Sequence, residues 1–275
     1  MGAAINIAMI GYGAIGQAIG ASLTALGEAA RLRAVLVREG RSAGPFNAVH
    51  DAEGLAQSGA QIVMECAGHN AVRDYGPALL SAGLDLILTS TGACADPAVL
   101  DSLRQAEAQA ETKGGGRLLM APGAVGGLDG LLAARLGGLD DVTYISAKPP
   151  HAWRGTAAEE RIDLAAPDEE QTIFEGSARQ AAQLFPKNAN VAISVALCGL
   201  GPDKTSVRLV SSRAVTDPLG VIEANGACGR FKFESYAYAA PDNPKTSLLT
   251  AYSLLQCARL GLGVPISDLL KGFEP

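Results

Sequence analysis

The sequence predicts an α/β protein, a doubly wound parallel sheet followed by a second, mixed α+β domain, and three observations lead there. A short apolar run, residues 5–10, passes straight into glycines and then into a helix-forming stretch. Strand-like and helix-like segments keep alternating to about residue 120, the pattern of a parallel sheet covered by helices. Beyond Met120 the texture changes to a glycine-rich stretch, residues 121–127, and then to β-like runs.

Residues 5–10 form a short run, apolar but for Asn6, of the kind expected of a strand buried on both faces. Residues 14–26 carry apolar side chains at the spacing of one buried helical face, and 32–37 is β-rich, so these elements make a βαβ unit. Further strands are expected at 62–65, 84–89 and 117–120, with helices at 71–82 and 97–110 and a short turn at 113–116. After the glycine-rich stretch a helix is expected at 128–136, strands at 142–148, 207–212, 221–224 and 230–238, and helices at 177–184 and 190–198. Asn243 and Pro244 are expected to open a final helix over 247–260 that returns to the first domain. The domain limits drawn from this are 1–122 with 244–275, and 123–243.

Composition narrows the class of protein. The 275 residues carry few charges and a net charge of −6, which gives no basic footprint for nucleic acid. The first apolar run lacks a preceding basic region and enters a glycine turn, so it reads as a strand rather than a signal peptide, and no other run approaches membrane-spanning length. The five cysteines are widely separated and never in a C-x-x-C pair, which predicts neither a disulfide framework nor a zinc site and suits a cytoplasmic setting. With three histidines and no metal-ligand spacing, no catalytic metal is expected.

The first turn carries the chemistry. Gly11-Tyr12-Gly13-Ala14-Ile15-Gly16 is a G-x-G-x-x-G between strand and helix, where glycines permit a tight turn, close approach of backbone to ligand, and close helix packing. The following helix presents unpaired N–H groups and a favourable dipole to a pyrophosphate. This is the fingerprint of the Rossmann fold, and it predicts that Gly11, Gly13, Ala14, Ile15 and Gly16 hold NAD or NADP. An acidic residue at the second strand's end would select NAD, an arginine NADP. Val37-Arg38-Glu39-Gly40-Arg41 offers both, and Arg38 with Arg41 tilts the reading towards NADP, with use of either dinucleotide expected. Cys66, Ala67 and Gly68 follow a strand at the carboxyl edge of the sheet, and are expected beside the cofactor. His69 contacts ligand or simply starts the next helix, and residues 89–92 form a further cofactor wall.

Several blocks give the chain a resemblance to the L-aspartate dehydrogenase family over nearly its whole length. They are the opening GYGAIG, Glu65-Cys66-Ala67-Gly68-His69, Gly123-Ala124 ahead of Asp129, Lys148-Pro149 with Trp153, and Phe174-Glu175-Gly176. The two most specific are residues 185–192, FPKNANVA, and 243–247, NPKTS. The resemblance implies oxidation of L-aspartate to iminosuccinate by a nicotinamide cofactor, with hydrolysis to oxaloacetate and ammonia. It also implies cofactor contacts at Ala124 and Asn190, for which asparagine amide groups are suited. Helix capping is the alternative for Asn188 and Asn190.

A dicarboxylate needs cations. Lys187 and Lys245, with Asn188 beside the former, are the first choices for substrate binding, and Lys148 and Arg154 the second. The family pattern H-x-[VI]-x-[AV]-x-G matches residues 220–226 here, GVIEANG, so Gly220 stands at the histidine position. Another base is then expected, His151 first among them; the alternatives are a reductase of a different imine or carbonyl acid, and a catalytically silent NAD(P)-binding protein. The second domain's mixed sheet is expected to bind substrate and to pair in a homodimer.

Overall fold

The computed structural model of the chain describes residues 4–112, 114–166, 169–186, 189–240 and 243–271; for 239, 240 and 243–246 it describes the backbone. In chain order the elements are β1 (Ile7–Ile10), α1 (Ala14–Ala25), β2 (Leu32–Leu36), β3 (Ala48–Val49), α2 (Ala52–Ala56), β4 (Ile62–Glu65), α3 (His69–Ser81) and β5 (Asp85–Leu88). Next come α4 (Pro97–Glu111), β6 (Leu118–Met120), α5 (Leu128–Gly137), β7 (Leu139–Lys148), β8 (Glu170–Ser177), α6 (Ala178–Leu184), α7 (Asn190–Cys198) and β9 (Ser206–Ser212). The chain closes with β10 (Leu219–Gly226), β11 (Gly229–Tyr236), β12 (Ala239–Ala240), β13 (Asn243–Ser247), α8 (Leu248–Leu260), β14 (Val264–Pro265) and α9 (Ile266–Leu270). They fall into two compact units, Met1–Gly123 with Thr250–Asp268, and Ala124–Leu249 with Leu269–Pro275.

The first unit is built on a seven-stranded sheet in the order β14-β6-β5-β4-β1-β2-β3, parallel except for β14. The chain moves outward from β1 to β3 and then returns to β4 on the other side of β1, so the strand order reverses there. In open α/β sheets that reversal is where loops part and ligands settle. Ile7 to Ile10 and Ile62 to Glu65 are all buried, which is why these strands read as apolar runs without alternation. Ile19 and Leu23 of α1 and Ala251, Leu254, Leu255 and Ala258 of α8 share one core with β1. Glu28 takes both Arg31, at 2.6 Å, and Arg259, at 2.7 Å, and so ties α8 to the segment behind α1.

The second unit holds a mixed sheet in the order β11-β10-β7-β9-β8, in which only β7 and β9 run parallel. Register places Gly220 of β10 between Ser146 of β7 and Ser235 of β11, and Ile222 between Tyr144 and Phe233, all on one face. α5 lies against Phe233: a Cβ on Gly127, whose φ is +86°, would meet that ring at 2.3 Å, and one on Gly130 would meet it at 2.9 Å. Trp153 is fully buried and donates its indole N–H to the Val210 carbonyl at 3.0 Å.

Two sequence expectations are corrected. Asn243 and Pro244 do not open a helix; residues 243–247 form β13, which pairs with β12, and α8 begins at Leu248. Proline disfavours helical backbone in the residue before it, and here that preference prevails. β8 was not expected at all. Its pairing with β9 shifts register between Thr172 and Phe174, so the neighbours Ile173 and Phe174 are both buried and the alternation that marks a strand is broken.

Candidate functional site

At the end of β1 the backbone turns at Gly11, with φ +95°, and its N–H donates to the Leu36 carbonyl at 2.9 Å. A Cβ here would lie 2.9 Å from that of Ala67, so the turns after β1 and β4 touch through the absence of a side chain. A Cβ on Gly16 would lie 2.6 Å from the Gly11 carbonyl oxygen, so α1 packs on the turn only with glycine there. Gly13 is different: nothing stands within 4 Å of where its Cβ would be. No side chain caps α1, so the first turn of the helix keeps N–H groups without an intrahelical acceptor, and the positive end of the helix dipole lies with them. The arrangement fits a pyrophosphate, which supplies the acceptors these donors lack.

Tyr12 leans away from the turn, its ring edge-on to Phe46 at 6.0 Å. Beyond β2, Arg38 to Arg41 form a turn closed by the Arg41 N–H on the Arg38 carbonyl at 3.0 Å, with both guanidinium groups in the exposed part of the loop.

The end of β4 contains a group that the sequence reading passed over. Glu65 is fully buried, and its Oε1 accepts from the N–H groups of Ala67 and Gly68, both at 2.8 Å, and from the Ser90 hydroxyl at 2.9 Å. Oε2 takes the Ser90 N–H at 3.0 Å. Burial pushes this carboxyl above the ordinary range, while the same four donors favour its ionised form. One side chain therefore fixes the turns after β4 and β5. The signal was present in an acidic residue ending an apolar strand, because a buried carboxylate must collect donors. Cys66 donates to the Ile10 carbonyl at 3.2 Å, and burial, with Glu65 beside it, pushes its thiol up. His69 is the first residue of α3, and Thr89 to Gly92 are buried behind the edge.

In the second unit, Ala124 is half-buried in the glycine-rich stretch and Asn190 opens α7. The N-cap of α7 is Ala189, so Asn190 is not the capping residue. Lys148 ends β7 with its ammonium 5.0 Å over the Trp153 ring, and burial lowers it to about 8. His151 and Arg154 are exposed on the turn around Trp153. Lys187 and Asn188 lie outside the described residues, and so does the side chain of Lys245. Gly220 is buried, and a Cβ on it would stand 3.2 Å from the Tyr144 hydroxyl. Among the described residues no three His, Cys, Asp or Glu side chains gather to hold a metal, and no helix is long and apolar enough to cross a membrane.

The sheet order, the open turn at Gly13 and the helix behind it define an NAD(P)-dependent oxidoreductase of the Rossmann type. Residues 11–114 match the NAD-binding domain of homoserine dehydrogenase, and residues 129–260 match the C-terminal domain of aspartate dehydrogenase. The chain is 41% identical to the L-aspartate dehydrogenase of Serratia proteamaculans over 261 residues, 92% of this chain and 96% of that one. It is 41% identical to that of Ruegeria pomeroyi over 260 residues, 93% of this chain and 92% of that one. This chain belongs to the L-aspartate dehydrogenase family. Its fold matches the crystal structure of aspartate dehydrogenase from Thermotoga maritima with a TM-score of 0.69 at 24% identity, covering 93% of this chain and 96% of that one.

Proposed function

We propose that this chain interconverts L-aspartate and iminosuccinate with NAD or NADP, the imine being hydrolysed to oxaloacetate and ammonia. The observation that carries the reading is the uncapped start of α1 behind Gly13, a place for a dinucleotide in a chain of this family. When bound, the nicotinamide accepts or gives the hydride at the substrate α-carbon. Gly11, Gly13, Ala14, Ile15 and Gly16 bind the pyrophosphate. Arg38 faces the adenosine ribose, Cys66, Ala67 and Gly68 shape the neighbouring wall, and Ala124 and Asn190 hold the nicotinamide end.

The first unit is assigned to the dinucleotide and the second to substrate and to pairing as a homodimer. Lys187, Lys245 and Asn188 are assigned to the substrate, joined by Lys148, whose sheltered ammonium suits a carboxylate. His151 is retained as the first alternative base. The five free cysteines are compatible with a cytoplasmic location.

Absorbance at 340 nm with L-aspartate and either cofactor, and with oxaloacetate plus ammonia in reverse, tests the reading. Turnover is expected in both directions. No turnover with L-aspartate, D-aspartate or related acids overturns it. Gly220 favours a second reading, a reductase of a different imine or carbonyl acid, which faster turnover of another keto acid than of oxaloacetate would support.

A further inference from the structure

Position 220 is a glycine without a conformational reason to be one. Its φ is not among the positive values, and its backbone is ordinary strand, paired on both sides. A side chain there would project from the face that carries Tyr144, Ser146 and Ser235. The three atoms nearest to its Cβ all belong to Tyr144: the hydroxyl at 3.2 Å, Cε2 at 3.4 Å and Cζ at 3.8 Å. The ring therefore occupies the space that the glycine leaves.

The phenol is also held there. Tyr144 is 5% exposed, and Ser146, two residues along the same face, hydrogen-bonds to it. Burial raises the phenol to about 12, so it stays neutral and keeps its proton throughout the working range of an enzyme. Lys148 follows on the same face of β7. The chain leaves α7 at Gly199, which lies against Val142, and re-enters the sheet as β9 beside β7, so α7 runs counter to β7. Its first residue, Asn190, thus lies towards the Lys148 end. The phenol stands on a face that carries a cation at one end, near the residue assigned to the cofactor.

We propose that Tyr144 is the substrate-facing proton donor of this chain, its hydroxyl standing where a side chain at position 220 would otherwise act. The proposal rests on the dehydrogenase reading above. In the reductive direction a bound reduced nicotinamide would supply the hydride to the α-carbon of the imine, and the electron pair of the C=N bond would move to nitrogen. Nitrogen then takes the phenolic proton, and the phenolate regains one through the Ser146 hydroxyl hydrogen-bonded to it, the net proton coming from water once the site opens. In the oxidative direction the same atoms move in reverse. Position 220 needs no imidazole for this, because the group that moves the proton comes from the neighbouring strand.

The test compares the wild type with Tyr144→Phe and with the double variant Tyr144→Phe, Gly220→His. Turnover is followed from about pH 5.5 to 10, NADPH binding by fluorescence, and binding of α-methylaspartate to the cofactor-loaded protein by calorimetry. This probe has no α-hydrogen to lose, so it reports binding without turnover. Tyr144→Phe is expected to leave NADPH affinity unchanged, weaken α-methylaspartate about three- to tenfold and cut kcat about 10²-fold or more. The double variant is expected to regain part of kcat and to acquire a pH limb near the ordinary imidazole value of about 6.5, absent from the wild type.

Unchanged kcat and unchanged α-methylaspartate affinity in Tyr144→Phe overturn the proposal. So does a loss that tracks a lowered melting temperature with no rescue in the double variant. If the wild type turns over no acid yet binds α-methylaspartate more tightly than Tyr144→Phe does, the dehydrogenase reading falls and the proton transfer with it, and only the contact of the hydroxyl with the ligand stands. If the wild type neither binds nor turns over, both fall.

Discussion

The edge of the first sheet at β1 and β4 and the face of the second at β7 and β10 are built on opposite principles. At the first, the backbone carries the proposed site: Gly11 and Gly16 have their side chains forbidden by neighbours at 2.9 and 2.6 Å, and no side chain caps the helix that follows. At the second, the recognition proposed above falls to side chains. Tyr144, Ser146 and Lys148 come from alternate positions of one strand, and Gly220 matters for what stands opposite it. A backbone site tolerates almost no change at its glycines but little depends on its other residues. A side-chain site can exchange one group for another from the adjacent strand.

The comparison can be broken most directly at Gly16. Gly16→Ala sets a methyl against the Gly11 carbonyl, and local strain of about 1–3 kcal/mol should weaken NADPH about tenfold to a hundredfold in a fluorescence titration. An unchanged Kd would mean that the turn relaxes freely. Lys148→Met should raise the KM for L-aspartate about tenfold or more, as loss of a charged hydrogen bond worth about 1.5–3 kcal/mol predicts, with NADPH affinity unaffected.

The same lysine should give the second site a pH dependence. With its pKa lowered to about 8 by burial, the ammonium is present below that pH and lost above it. Substrate affinity should therefore fall as pH rises through about 8, and Lys148→Arg should flatten the limb.

Glu65→Gln sharpens the backbone side of the comparison. It puts an N–H donor among donors, and should lower stability by about 1–3 kcal/mol in urea unfolding while weakening NADPH several-fold. The smallest effect is expected at Arg38. Because it is exposed, Arg38→Ala should cost only a few-fold in NADP affinity and nothing in NAD affinity, which paired KM measurements resolve.

Legibility followed the same division. The turn at Gly11 to Gly16, and the strands β1 and β4 that are buried on both faces, could be read because local sequence determines them: a positive φ, a forbidden Cβ, apolar runs in which Glu65 is the one polar residue. Glu65 was visible as a letter but not as a hub, since its donors at Ser90 come from another strand end. Tyr144 was less visible still. Nothing around residue 144 announces that its hydroxyl meets position 220, and only the antiparallel register of β7 and β10 brings them together. β8 escaped because its bulge buries two successive residues, and β13 because its NP dipeptide resembles a helix start. Absence was the easiest thing to read in the second half of the chain, in Gly220, and what fills it needed the fold.

The salt bridges of Glu28 with Arg31 and Arg259 have a consequence for how the protein is made. The first unit borrows α8, and with it four residues of its core, from a stretch that leaves the ribosome more than a hundred residues after Gly123. During synthesis the cofactor-binding sheet must wait with an apolar groove uncovered while the whole second unit emerges. A nascent chain halted near Gly123 would expose that groove, the kind of apolar surface that leads to aggregation and that chaperones cover.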